Sequence, residues 1–362
     1  MNKKSIASIE LAALVNELQF LVKGKVSQIY HQEKKEVLLQ LHAPGKGKQL
    51  LKLFPGKFLC LSNEKKESPA NPSGFCMQLR KYVSNAFIKD VYQKDSERIV
   101  IFELEKKDKY YLILEFFSKG NLILTDDKFE IIATLEWQRW KDRIIKPKEK
   151  YEFPKLGVNW KKITEKELTS IINNSEKSNI STSLATEVGF GGLYAEEICK
   201  VSEVSKSKKP AEIGSKEVKA IFKTIKRILK DIETPSGFIY SEQITPFALS
   251  DIEVVKQTET YNQAINTLKP IKKTSPYDQK IKTMEKMIEK QQESMNKQEK
   301  SIDLNTKKGE LIYEKYQPLQ KMFDIISSMK EGKEWTDIAK ELKKEKNIKQ
   351  VNLKDKKINV NL

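Results

Sequence analysis

The sequence predicts an α+β fold built on an antiparallel sheet, followed by a helical module and one long helix. Three observations carry this: short apolar or alternating runs separated by turn residues through position 125, helical segments joined by short polar stretches across 160–232, and a proline-free run of Lys, Glu, Gln and Met across 277–316. The first helix is expected over 5–23, where Ile6, Ile9, Leu11, Leu14, Val15, Leu18, Leu21 and Val22 recur near the 3.6-residue period and Gly24 closes the run. Strands follow at 26–31, 37–42, 49–54 and 58–62, a meander of hairpins punctuated by Ala43-Pro44-Gly45 and Pro55-Gly56. Beyond a Pro- and Ser-containing loop at 68–74, residues 75–83 read as a second helix with Phe75, Leu79 and Tyr82 on one face. Strands resume at 87–93, 98–105, 110–116 and 121–125, with Gly120-Asn121 and Asp126-Asp127 as turns, and the unit ends near Pro154.

Gly189-Phe190-Gly191-Gly192 precedes a helical segment that runs from Leu193 to Cys199. Such a glycine-containing hairpin between two helices can hold a phosphate on backbone N–H groups and the following helix N-terminus, which makes Gly189, Gly191 and Gly192 candidate phosphate contacts. An ordinary tight helix–helix turn accounts for the same glycines. Residues 235–275, with Pro235, Pro246, Pro270 and a strand-like run at 238–240, read as a return segment or linker. In the long helix Ile281, Ile288, Met295 and Ile302 repeat every seven residues, while the companion seam, Met284, Gln291, Gln298 and Asn305, is mostly polar. An arm of roughly 60 Å at 1.5 Å per residue with a half-polar seam calls for a partner that is antiparallel, intermittent or outside this chain. The stretch from Pro318 through Gly332-Lys333-Glu334-Trp335 holds one or two more helices, and the alternating Ile358-Asn359-Val360-Asn361-Leu362 stops without a turn, as in a truncated or split chain.

The 362 residues, 38% hydrophobic and 32% charged, are enough for two or three domains of roughly 100–150 residues. No stretch approaches the roughly 18 apolar residues of a membrane span, and Met1-Asn2-Lys3-Lys4 leads into an amphipathic pattern, so a cytoplasmic location and no membrane partner are expected. Cys60, Cys76 and Cys199 are odd in number and scattered, which predicts reduced, buried thiols. With only His31 and His42 besides, a structural zinc site and most histidine-dependent catalysis have too few groups to draw on, and no cofactor is expected. The net charge of +17 points to a polyanion, and it is uneven: residues 1–100 carry 17 Lys/Arg against 9 Asp/Glu, residues 151–200 carry 6 against 7. Only five of the basic residues are arginines, so a plain lysine-rich solvated surface is the competing account.

Several strings, in order along the chain, resemble the NFACT family of ribosome-associated quality-control factors, whose bacterial members carry the older name of fibronectin-binding proteins. They are Glu10-Leu11, Glu17-Leu18 and 24–30; Pro72-Ser73-Gly74-Phe75-Cys76-Met77-Gln78-Leu79-Arg80-Lys81; Gln93-Lys94-Asp95-Ser96-Glu97-Arg98; Glu115 with Gly120-Asn121-Leu122; the glycine hairpin through Cys199; and 309–316 with Trp335. The resemblance implies an NFACT N-terminal domain over 1–155, similar in fold to the corresponding domain of formamidopyrimidine-DNA glycosylase. It further implies a helix-hairpin-helix domain over 156–233, a return segment over 234–275 packing on the first domain, an arm helix over 276–316 and the start of a tip domain over 317–362. The rest of the tip, a returning helix and an RNA-binding domain are expected elsewhere, either on a separately encoded C-terminal fragment or replaced by self-association through the arm.

By the same resemblance the partners are tRNA and the large ribosomal subunit obstructed by peptidyl-tRNA, and the family's role is rescue of stalled ribosomes with C-terminal alanine tailing. The acidic residue of the first helix and the acidic-Arg pair before a strand correspond to Glu10, Glu97 and Arg98, with Glu where aspartate is usual at both acidic positions. Arg98 can fork two N–H donors onto a phosphate or base edge, and a carboxylate can accept from a ribose hydroxyl or base amine; a plain Glu97–Arg98 ion pair is the alternative. Arg80 and Lys81 are further candidate tRNA contacts, or else part of a solvated helix face. A glycosylase would need an N-terminal proline amine, which Met1-Asn2 does not offer, and a surface adhesin would want a signal segment or disulfide framework. A binding protein that is not an enzyme is the expected class.

Overall fold

The computed structural model describes residues 5–69, 71–140, 143–155, 157–268, 276–330, 334–342, 348–352 and 357–360; Met1 to Lys4, Pro270, Gly332, Lys333, Asn361 and Leu362 lie outside these segments. The chain divides into two units, Met1–Ile271 and Lys272–Leu362.

The first unit opens with α1 (Ser8–Glu17), which buries Ile9, Leu11, Leu14 and Val15. It is shorter than the apolar period over 5–23, because the chain tightens into a 3-10 turn at Gln19–Leu21. Gly24 then approaches the sheet so closely that a Cβ would meet the Leu21 and His42 carbonyl oxygens at 2.7 and 2.8 Å. A helix continued to residue 23 could not make that approach. There follow β1 (Lys25–Glu33), β2 (Glu36–Ala43), β3 (Gly47–Phe54), β4 (Phe58–Ser62), α2 (Gly74–Val83), β5 (Phe87–Gln93), β6 (Ile99–Glu105), β7 (Lys109–Glu115), β8 (Asn121–Asp126) and β9 (Ile131–Thr134). All nine strands join one antiparallel sheet in the order β4-β3-β2-β1-β5-β6-β7-β8-β9. The eight strands expected from the sequence are all present, with β9 added at the edge.

The sheet narrows at its middle, where β1 and β5 share only the Lys25↔Phe87 register pair, and its two halves meet again through turns. The Gly56 amide donates to the Glu115 carbonyl at 3.0 Å, and a Cβ on Gly120 would stand 1.9 Å from the Gly56 nitrogen, so only glycine permits this contact. Strand β6 is buried on both faces: Val100, Phe102 and Leu104 enter the main core, while Ile99 and Ile101 join Ile113, Ile123, Ile131, Ile145 and Tyr151 in a second one. The short hairpin of β10 (Gln138–Arg139) and β11 (Ile144–Ile145) supplies Ile145 to that second core.

The helical part comprises α3 (Glu165–Asn173), α4 (Ile180–Ser183), a π-helical turn at Leu184–Val188, α5 (Gly192–Val201) and α6 (Ser215–Asp231). Then come the small antiparallel sheet of β12 (Gly237–Ile239), β13 (Ile244–Thr245) and β14 (Lys256–Thr258), and α7 (Tyr261–Asn266). The Asn262 side chain of α7 accepts from the Leu61 amide of β4 at 2.7 Å, and one continuous core runs from Ile6 to Leu268. Cys60, Cys76 and Cys199 are free and buried.

The second unit holds α8 (Pro276–Glu314), α9 (Tyr316–Lys330), α10 (Trp335–Leu342) and the hairpin β15 (Ile348–Asn352) and β16 (Lys357–Val360). Ile281, Ile288, Met295 and Ile302 of α8 are each more than half exposed, so among the described residues the apolar seam read from the heptads is exposed. Ile326, Ile338 and Leu342 form a small core under the hairpin. Among the described residues no helix is long and apolar enough to cross a membrane.

At its C-terminal end α1 grips α7: the Glu17 carboxylate accepts the Tyr261 and Asn262 amides at 2.6 and 2.8 Å. Burial nevertheless pushes the Glu17 carboxyl up from 4.5 to about 7, against the lowering effect of those two bonds. The folded chain therefore keeps a proton that the unfolded chain releases. This contribution to stability is complete below about pH 4.5 and is lost as the pH rises through about 7. Denaturant unfolding across that window should show the parent losing stability relative to Glu17→Gln as the pH rises.

Candidate nucleic-acid interface

A cleft of about 470 Å³ opens in the first unit between the start of α1, the turn at 96–98, the segment 157–160 and the glycine-built bend at 185–191. Its floor is tied together by Ser8, the first residue of α1. The Ser8 hydroxyl donates to the Ser96 carbonyl and accepts from Gln93 Nε2 at 3.1 Å and from the Trp160 indole at 3.2 Å. Gln93 also holds the Glu97 carbonyl at 2.8 Å, and the Ser96 hydroxyl donates to the Val158 carbonyl at 2.8 Å. Asp95, with a left-handed φ of 49°, makes the turn that brings Glu97 and Arg98 to the cleft just before β6.

Glu97 and Arg98 do not pair with each other. One Glu97 oxygen accepts from the Gly157 amide at 2.9 Å. The Arg98 guanidinium makes no hydrogen bond or ion pair among the described residues, and burial holds it below its ordinary pKa, opposed by the neighbouring Glu97 charge. A half-buried guanidinium with unspent donors is available to a phosphate or a base edge. Next to Trp160, burial pushes the Lys161 ammonium down to about 8 against the pull of Asp95, but Lys161 does not line the cleft, whereas Arg98 does.

Opposite lies the hairpin. Gly189 and Gly191 adopt φ values of 96° and 80° that side chains resist, and both line the cleft. Gly191 is the N-cap of α5 and supplies no side-chain cap, and a Cβ at Gly191 or Gly192 would meet nothing within 4 Å. The helix start is thus open, with backbone donors unmatched by any side chain. The preceding turn is π-helical, a local widening that frequently accompanies functional sites. The Phe190 ring packs 5.4 Å from Trp160, so the hairpin and the floor share one aromatic contact.

The other candidates lie elsewhere. Glu10 is 1% exposed; one oxygen accepts from the Ala7 amide at 2.8 Å, the other from the Tyr194 hydroxyl of α5 at 2.7 Å. The Tyr261 hydroxyl of α7 also bonds to Glu10, and burial, reinforced by the carboxylate, raises both phenols well above the ordinary range. Glu10 therefore sits behind the cleft wall as the joint of three helices. Arg80 directs Nε and one terminal nitrogen onto the Ile29 carbonyl at 2.9 and 2.7 Å, and Lys81 is exposed on α2; neither lines the cleft. Ser8, Gln93 and Trp160 went unread in the sequence, since nothing local distinguishes a serine or glutamine that meets its partner across a fold. Among the described residues no cluster of His, Cys, Asp and Glu could hold a metal ion.

The α+β body brings a half-buried arginine and a glycine-built bend to the lining of one cleft. A model of the NFACT N-terminal and middle domains matches residues 8–361, and the chain belongs to the NFACT family. It is 28% identical over 372 residues to the archaeal Rqc2 homolog aRqcH of Methanocaldococcus jannaschii, covering 95% of this chain and 55% of that protein. To the ribosome quality control complex subunit NEMF of Homo sapiens it is 27% identical over 184 residues, 49% of this chain and 17% of that one. The chain thus spans about half the length of the archaeal relative. The solved N-terminal part of the fibronectin/fibrinogen-binding protein from Streptococcus suis shares the fold, with a TM-score of 0.61 at 19% identity, covering 72% of this chain and 98% of that one.

Glu10→Ala should strand two buried hydroxyls and an amide at once and cost roughly 2–4 kcal/mol, measured by urea unfolding. Glu10→Gln, which keeps an accepting oxygen, should lose less.

Proposed function

We propose that this chain is a ribosome-associated quality-control factor, not an enzyme, that binds tRNA through the cleft while engaging a large ribosomal subunit obstructed by peptidyl-tRNA. The observation that carries the reading is the unpaired, half-buried Arg98 guanidinium facing the open N-terminus of α5. One wall offers a forked cation; on the other, the Phe190 and Gly191 amides are bonded to the Leu184 and Ala185 carbonyls, so the amides left for a phosphate are those of the first turn of α5 beyond Gly191. Glu97 keeps one oxygen for a ribose hydroxyl or base amine while the other holds Gly157. The net charge of +17 supplies long-range attraction, which is independent of nucleotide sequence and steep in salt. The relatives named as ribosome quality control subunits support the role, and support of alanine tailing in ribosome rescue belongs to the same reading. Arg80 places two of its five donors on the Ile29 carbonyl and keeps its charge and remaining donors for tRNA, and Glu10 acts by positioning the cleft walls.

The test compares tRNA affinity in a salt series for the parent, Arg98→Glu and Lys290→Glu, the last an exposed lysine of α8. Arg98→Glu should weaken binding about tenfold more than Lys290→Glu at matched salt. Equal losses would leave only diffuse electrostatics and remove the cleft from the account.

A further inference from the structure

The β10–β11 hairpin carries an aromatic feature that the cleft does not use. Two of the four tryptophans, Trp137 and Trp140, and two of the five arginines, Arg139 and Arg143, fall within seven residues of a chain whose other basic side chains are nearly all lysines. Trp137 is 75% exposed and Trp140 38%. A tryptophan buries up to roughly 250 Å² when packed, so leaving one in water on an ordered hairpin marks a used surface.

The hairpin is held rigidly from below. The Arg143 guanidinium reaches the Glu115 carboxylate with side-chain exposures of 11% and 1%, and its Nε donates to the Glu152 carbonyl at 2.7 Å. It also lies 4.8 Å from the Tyr151 ring and 5.7 Å from the Trp140 ring. Gln138 turns inward to the Gly120 carbonyl at 3.1 Å, which leaves its neighbours Trp137 and Arg139 facing solvent. The Arg139 guanidinium has no ion pair among the described residues, and Glu136, three positions before it, pairs with Lys35 at 3.1 Å. Among the described residues the face joins an exposed indole to a forked cation that has no ion pair.

We propose that this hairpin is a stacking platform for an unpaired RNA nucleotide, with the base on Trp137 and an adjoining phosphate on Arg139. An indole face accepts any base, and a guanidinium beside it matches phosphate geometry. Ile144, the register partner of Arg139, is also 39% exposed and would serve a protein-docking patch; the forked cation beside the ring favours the nucleotide. The inference stands apart from the tRNA reading of the cleft.

The experiment titrates the full chain with a labelled unstructured oligoadenylate and with a paired RNA duplex, in the parent, Trp137→Ala, Trp137→Phe and Arg98→Glu. The single strand should bind more tightly than the duplex, and Trp137→Ala should weaken it about tenfold while Trp137→Phe keeps most of the affinity. Arg98→Glu should leave the Trp137-dependent part of binding intact, so the hairpin and the cleft fail or succeed separately. Equal oligoadenylate affinity in the parent and Trp137→Ala, at unchanged helix content, would overturn the proposal and leave the patch to a protein partner.

Discussion

The buried Glu10 carboxylate is the joint on which the first unit depends. It takes the Ala7 amide at the start of its own helix, the Tyr194 hydroxyl of α5 and the Tyr261 hydroxyl of α7. A charge taken out of water is tolerated only when its lone pairs are filled, and here the groups that fill them come from three parts of the chain. The carboxylate thereby sets where α5 begins relative to α1, and so how wide the cleft is. Glu17, about two turns further along α1, holds α7 at its amide end. Two acids on one short helix thus fasten the return segment to the sheet domain and make the domain and the helical hairpin one body with one core.

The cleft follows from that joint. Ser8 and Gln93 tie α1 to the turn that carries Glu97 and Arg98, while Trp160 and Phe190 fix the glycine hairpin opposite. Most polar groups of the floor are matched, the buried Gln93 Oε1 excepted, while Arg98 makes no hydrogen bond or ion pair among the described residues and the start of α5 has no side-chain cap. Groups held in place and left unpaired lose little by reorganisation when an anion arrives, which is the physical content of a preorganised site.

Much of this was legible in the sequence and some was not, for definite reasons. The eight strands and α2 show in local alternation and turn chemistry, and the glycine hairpin shows because only glycine takes the left-handed angles of Gly189 and Gly191. Arg98 reads as a candidate from its residue type, but whether it pairs with Glu97 depends on Gly157, sixty positions away, taking the carboxylate. The burial of Glu10 depends on Tyr194, separated by 184 positions, and an acid in a first helical turn looks the same whether it caps, pairs or binds. The 3-10 turn after α1 hides within a continuous apolar period, since the close passage of Gly24 against β2 is a tertiary event. The short β10–β11 hairpin, two residues per strand, has no periodicity to read.

With the cleft as the tRNA site, specific recognition resides in this chain, which spans about half the length of its archaeal relative. The most direct measurement is cosedimentation with purified large ribosomal subunits, with and without peptidyl-tRNA, across a salt series. Retention that requires peptidyl-tRNA and survives moderate salt is the predicted result. Binding that ignores the tRNA and vanishes steeply with salt would contradict it, because the charge of +17 would then be acting without a site.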